Sequence, residues 1–169
     1  MIHQLKQFVP STVCLKCDGC CRFKDADSPW RPKAGQEDKK NLSVLITAPN
    51  TLDDAGYITT IQSCGHHFCR FLNADDNTCQ AYGQRPFECA LYPFILSRND
   101  QGIRLYVHLS CPYVQISENT PGYTTYISYL KNFFARPDVL EFLKRNQGMF
   151  HDYTPFAPEL LQLFDLPAL

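Results

Sequence analysis

The sequence predicts an α+β protein, with a small cysteine-rich part that contains an antiparallel hairpin and a helical C-terminal tail. Three observations carry this prediction. Nine cysteines stand at positions 14, 17, 20, 21, 64, 69, 79, 89 and 111, and none follows. Two strand-like runs, Tyr92 to Ser97 and Ile103 to His108, flank the turn-forming Asn99-Asp100-Gln101-Gly102. Beyond residue 120, Tyr126, Tyr129, Leu130 and Phe133 recur at the spacing of one helix face. The expected organisation is one domain, with a cysteine-bearing region over 1–115 and a helical tail over 116–169 packed on it.

The elements follow in order along the chain. Arg22 to Asn41 is polar and carries Pro29, Pro32 and Gly35, so it reads as a surface loop. Leu42 to Thr47 is a short apolar, β-branched run and reads as a strand. Pro49-Asn50-Thr51, followed by Leu52 to Ala55, opens one or two helical turns that stop at Gly56. Tyr57 to Ile61 is rich in strand formers. In the second arm of the hairpin, Ile103, Leu105 and Val107 alternate with Arg104, Tyr106 and His108, which places the second set, His108 included, toward solvent.

In the tail, Phe134 joins the first aromatic helix. Pro137 and Asp138 suit the first turn of a second helix through Val139, Leu140, Phe142 and Leu143, closed near Gly148. Pro158-Glu159 begins a third short helix, Leu160 to Phe164. The aromatic stripe reads as core and inter-helix packing. Its alternative is a docking face for a protein partner, since aromatics also favour interfaces.

Composition narrows the function classes. With 169 residues the chain has the length of one domain, and 44% hydrophobic with 20% charged residues suits a folded one. Sixteen Lys and Arg against seventeen Asp and Glu leave a net charge of −1, so nucleic acid is not an expected partner. No apolar run approaches the roughly 18–20 residues of a membrane helix, so no membrane span is expected. The start, Met1 to Lys6, has no apolar stretch after a charged beginning, so the expected location is cytoplasmic. In that reducing compartment clustered cysteines point to metal before disulfides.

Cys14-x2-Cys17-x2-Cys20-Cys21 places thiols three residues apart, a spacing that lets them converge from a tight loop. Gly19 lets the backbone pass close. Thiolates repel one another and are costly to desolvate, and a bound cation makes such a group stable. Neighbouring side chains diverge in an extended segment, so Cys20 and Cys21 read as serving two metals or bridging within one cluster. The second set is Cys69, Cys79, Cys89 and Cys111. Two four-ligand sites need eight thiols, which these sets supply, and Cys64 is a ninth. Thiol redox chemistry, including a disulfide between Cys20 and Cys21, is the rival reading.

Arg85 lies between Cys79 and Cys89, where its guanidinium could hydrogen-bond sulfur or offset thiolate charge. Tyr82 could pack beneath that loop or donate its hydroxyl. The bland reading of the pair is a surface ion pair and a core tyrosine. His66 and His67, beside Cys64 and Cys69, are conceivable zinc ligands, although the chain has thiols enough without them. All-thiolate ligation suits zinc and iron–sulfur clusters alike. Cys14-x2-Cys17-x2-Cys20 is similar to the first ligands of bacterial ferredoxin and Cys111-Pro112 to its ending, but Lys24 breaks the local run.

These residues resemble the CxxCxxCC, or YkgJ-like, family of zinc- or iron-chelating proteins. The resemblance rests on Cys14 to Cys21, Cys69-Arg70-Phe71-Leu72, and Cys79-x2-Tyr82-x2-Arg85-Pro86-x2-Cys89-x2-Tyr92-Pro93-Phe94, with Cys111 after them. It implies a small domain built around a cysteine-bound zinc or iron–sulfur centre, with no biochemical role assigned in most members. One branch resembles flagellin lysine methylases, which are longer chains. This chain also shows no glycine-rich loop recognisable as a nucleotide or S-adenosylmethionine site. The expected ligands are Cys14, Cys17, Cys20, Cys21, Cys69, Cys79, Cys89 and Cys111, with Arg85 and Tyr82 around them. A lysine N-methylase-like enzyme and a metal-transfer or interaction module are the alternative functions. The sequence leaves the centre structural, redox-active or catalytic.

Overall fold

The computed structural model describes residues 5–17, 19–43, 45, 50–63 and 65–169. The chain forms two compact units, Val9–Ala90 and Leu91–Leu169, the latter together with residues 5–8. The fold is α+β, and the described residues contain three small antiparallel sheets.

In the first unit, Pro10 in extended geometry opens the single turn α1, Ser11–Cys14. The strand β1, Arg22–Phe23, follows the first cysteine group, and α2, Gln36–Asn41, lies further on. β2, Thr60–Ser63, and β3, His66–Cys69, complete a sheet of order β1-β3-β2. Arg22 stands opposite Phe68 and Phe23 opposite His67, while Thr60 stands opposite Cys69. β4, Leu72–Asn73, pairs with β5, Thr78–Cys79, across a turn in which Asn77 adopts φ 58, a left-handed geometry that Asn tolerates. A single 3-10 turn, Tyr82–Gln84, leads into the helix α3, Phe87–Leu91. Phe23, Leu42, Ile58, Phe68, Phe71, Leu72 and Ala81 form the apolar core of this unit. Cys69 is part of that core, and Cys21 and Cys79 pack against it.

Several expectations change here. The polar stretch 22–41 is a loop only in its middle, since β1 and α2 occupy its two ends. Helix α2 shows no apolar periodicity because the residue it buries is an acid, Asp38. Most of the strand expected over Leu42–Thr47 falls outside the described residues. Leu42 itself is fully buried, and Leu45 N–H closes a turn onto its carbonyl at 2.7 Å. The helical turn expected over Leu52–Ala55 is a loop closed by Asp53. Its Oδ1 accepts the Tyr57 N–H at 2.9 Å, its backbone carbonyl accepts the Gly56 N–H, and Leu52 bridges to Ile58. A carboxylate that bonds the backbone nearby offers the chain an alternative to helix. Gly56, at φ 88, takes the left-handed position that this loop requires.

In the second unit the expected hairpin forms as β6, Phe94–Asn99, and β7, Gly102–His108, with Asn99 opposite Gly102 at the turn. Ile103, Leu105 and Val107 are buried, as the alternation requires. His108 departs from it. It is 8% exposed, its Nδ1 meets the Tyr92 hydroxyl at 3.1 Å, and its Nε2 lies 3.6 Å from Glu159. Beyond the hairpin come α4, Pro112–Ser117, α5, Pro121–Phe134, and α6, Pro137–Arg145. Each begins with proline, whose missing N–H no helix start requires. Thr120 accepts the Tyr123 N–H at 3.3 Å to cap α5.

The third helix expected over Leu160–Phe164 is instead a strand, β8, Leu160–Asp165. It pairs antiparallel with β7, which gives the sheet order β6-β7-β8. A six-residue segment with four apolar residues fits either period, and here the open edge of β7 decides. Much of the aromatic stripe of α5 is core within this unit, with Tyr126 and Tyr129 half-buried. Tyr123, Leu130, Phe133 and Phe134 are buried, Phe94 stacks on Tyr126 at 5.2 Å, and Phe8 meets Phe94 edge-on at 5.4 Å. Among the described residues no helix is long and apolar enough to cross a membrane.

Phe94 is 1% exposed and sits among Phe8, Tyr123 and Tyr126. Phe94→Ala removes a buried ring from a packed aromatic group, and an expected loss of about 3–5 kcal/mol follows. Urea unfolding of the two proteins measures it.

Candidate metal centre

Short local turns assemble the first four thiols. The Cys17 N–H bonds the Cys14 carbonyl at 3.2 Å, and the Arg22 N–H bonds the Gly19 carbonyl at 3.0 Å, so the chain doubles back twice between α1 and β1. A Cβ on Gly19 would stand 3.4 Å from the Cys17 sulfur, in van der Waals contact with that thiol. The ladder then extends to the second set, because the Cys69 N–H donates to the Cys21 carbonyl at 2.8 Å, just before the β1–β3 pairing. Cys79 is placed by its register opposite Leu72. Cys89 lies within α3.

Seven thiols, Cys14, Cys17, Cys20, Cys21, Cys69, Cys79 and Cys89, thereby act on one another electrostatically. Burial raises the Cys14 thiol, with Cys21 and Cys17 adding to the rise, while Arg85 and a hydrogen bond from Tyr82 oppose it. Cys20 and Cys21 share a hydrogen bond that holds the proton on Cys20, far above its ordinary range, and lowers Cys21. Arg22 and Arg85 also favour the Cys21 thiolate. Burial pushes Cys69 up to about 12, with Cys21 and Cys79 contributing. It likewise raises Cys79, and it raises Cys89 well above the thiol range, where Cys69, Cys21, Cys79 and Glu88 add to the effect. Cys20 keeps accessible surface, whereas Cys69 is buried, so the network runs from the core outward.

Arg85 is the cation common to Cys14, Cys21 and Cys79. Its Nε donates to the Tyr82 carbonyl at 3.1 Å and its guanidinium lies 4.0 Å from the centre of the Tyr82 ring, which fixes its direction. Arg22 is held over the Phe68 ring at 5.4 Å and donates to Asn77 Oδ1 at 2.5 Å. Cys111 belongs to the other compact unit, where it is buried at the start of α4. His66 is exposed and half-buried His67 stands opposite Phe23, while Cys64 lies outside the described residues.

Two acids that carry no cysteine-like signal in the sequence bond at the start of α3, which holds Cys89. Asp38 Oδ1 accepts the Phe87 N–H at 3.1 Å, and Glu88 Oε2 accepts the Lys33 N–H at 2.6 Å. Glu88 carries a signal in its position between a buried phenylalanine and a motif cysteine. Asp38 carries none, because it looks like any acid of a polar stretch.

A family model described as "Putative zinc- or iron-chelating domain", named CxxCxxCC, matches residues 13–112. The chain belongs to the CxxCxxCC family. The resemblance drawn from its motifs is thus shown over more than half its length, and membership carries no specific role with it. No curated protein and no solved structure matches the chain. As a CxxCxxCC protein it offers the donor chemistry that a zinc or iron ion takes, soft sulfur ligands in a poorly solvated place. Among the described residues, no group of three or more Cys, His, Asp or Glu side chains is arranged to hold an ion directly.

Burial pushes the Glu88 carboxyl up to about 8, with the charge of Asp38 adding to it. The folded chain therefore holds this proton more tightly than the unfolded one. Stability contributed by protonated Glu88 is present below the ordinary value of 4.5 and is lost as pH rises through about 8. Glu88→Gln keeps an acceptor for the Lys33 N–H and removes the titration. Its stability relative to wild type should rise between about pH 5 and about pH 8. Urea midpoints of both proteins across that range test this, and parallel profiles would contradict it.

Proposed function

We propose that this protein binds zinc or iron, the latter as an iron–sulfur cluster, through Cys14, Cys17, Cys20, Cys21, Cys69, Cys79, Cys89 and Cys111. Arg85 and Tyr82 support the thiolates without ligating. The observation that carries the reading is the gathering of seven thiols from separate segments within electrostatic reach of one another. Protonated, they leave polar sulfur poorly solvated; ionised, they repel. When bound, the metal supplies the positive charge that lets these thiols lose their protons near neutral pH. Binding displaces the protons of these thiols. Eight thiols divide into two four-ligand sites or one polynuclear cluster. The expected location is the cytoplasm, where thiols stay reduced.

Within this reading Arg85 offsets thiolate charge, and Tyr82 fixes the guanidinium and donates to Cys14. A second reading, a metal-transfer module, draws on the exposure of Cys20, which an acceptor's ligand could approach. Release to a chelator without unfolding favours transfer, and release coupled to unfolding favours a structural centre.

Anaerobic purification followed by elemental analysis and a visible spectrum is the deciding experiment. It should find zinc or iron bound in stoichiometric amount, and Cys17→Ala and Cys89→Ala should be insoluble or metal-poor. Metal-free wild-type protein that stays folded would end the proposal.

Arg85→Ala should keep the metal stoichiometry and raise the rate of loss to a chelator by about 10–100-fold. Arg85→Lys should recover only part of this, because an ammonium lacks the planar fork. Wild-type release kinetics in Arg85→Ala would make Arg85 an ordinary charge.

A further inference from the structure

We propose that Asp38 is a positioning residue for Cys89, acting through the backbone of α3 rather than by touching the thiol. The proposal rests on the function above only in naming Cys89 a ligand. Asp38 is 1% exposed, a placement that is costly for a carboxylate unless its oxygens are bonded. Both are. Oδ2 accepts the Gly35 N–H at 2.9 Å, within its own helix start, and Oδ1 accepts the Phe87 N–H at 3.1 Å, 49 residues along the chain.

Phe87 is the first residue of α3, and its N–H is one of those that an α-helix leaves without a partner inside itself. The usual remedy is a side chain from the preceding residue, but that residue is Pro86, which has no side-chain acceptor. Asp38 supplies the acceptor from α2.

Glu88 adds a second tie from the next residue to the same segment, Oε2 to the Lys33 N–H at 2.6 Å. That segment is itself clamped, since Lys33 bridges to Tyr57 and the Ala34 N–H donates to the Gly56 carbonyl at 2.9 Å. Two successive residues of α3 are thus bonded to one braced stretch of chain. Cys89 comes immediately after them. On a helix this short no further turns average out a rotation at the start, so the anchor sets the direction of the Cys89 thiol.

The test reads cysteine accessibility in the protein as isolated, under native conditions, by timed iodoacetamide labelling and peptide mass spectrometry. Asp38→Ala should accelerate labelling of Cys89 by about tenfold, the population change expected when a helix cap is lost, with Cys14 unchanged within about twofold. Asp38→Asn, which keeps the shape and one acceptor, should give a smaller rise at Cys89 alone. It decides the matter by the same criteria if Asp38→Ala does not fold. Equal acceleration at Cys14, Cys79 and Cys89 would mean general loosening and would overturn the proposal, as would no change at Cys89. The labelling needs no metal, so absence of metal from the wild-type protein would sink the proposed function and leave this result to be read by itself.

Discussion

Crowding of sulfur is the constraint around which the first unit is arranged. Seven thiols are drawn from α1, the loop after it, β3, β5 and α3, and each feels others nearby. Burial favours the neutral form, so most of these thiols are held above their ordinary range. Cys21 goes the other way, because Cys20 donates to it and Arg22 and Arg85 stand near. The network therefore has one thiol held below its ordinary range beside several held above it.

The apolar core serves this arrangement directly. Cys69 is one of its members, and Cys21 and Cys79 lie against it beside Phe23, Phe68, Phe71 and Leu72. The same packing that excludes water from the phenylalanines also lowers the solvation of the sulfurs. Two-residue strands could not stand alone, and they persist here because they are stitched across this core. A mutation that loosens the core would therefore also change the chemistry of the thiols.

Charge is managed with similar economy of means. Arg85 is stacked on Tyr82, and Arg22 is held over Phe68, so each cation has a fixed direction and an aromatic face. At the start of α3, Asp38 accepts the Phe87 N–H and Glu88 accepts the Lys33 N–H.

The sequence by itself determined the cysteine-rich motif, the family it marks, the 92–108 hairpin and the two aromatic helices of the tail. Cysteine spacing, alternation about a turn, and Pro-led aromatic periodicity are local signals, and each survives in any context. It also marked Arg85 and Tyr82, because they stand between thiols in the chain. Tertiary structure alone decided the rest. β8 is a strand because β7 had an edge to fill, although its six residues fit a helix as well. His108 is buried because Tyr92 and Glu159 lie beside its ring, which alternation cannot foresee. Asp38 bonds Phe87 across 49 residues, and an acid in a polar stretch gives no sign of such a partner. Spacing along the chain reports what neighbouring residues can do together, whereas the partners of a buried polar group are set by whatever the fold brings against it.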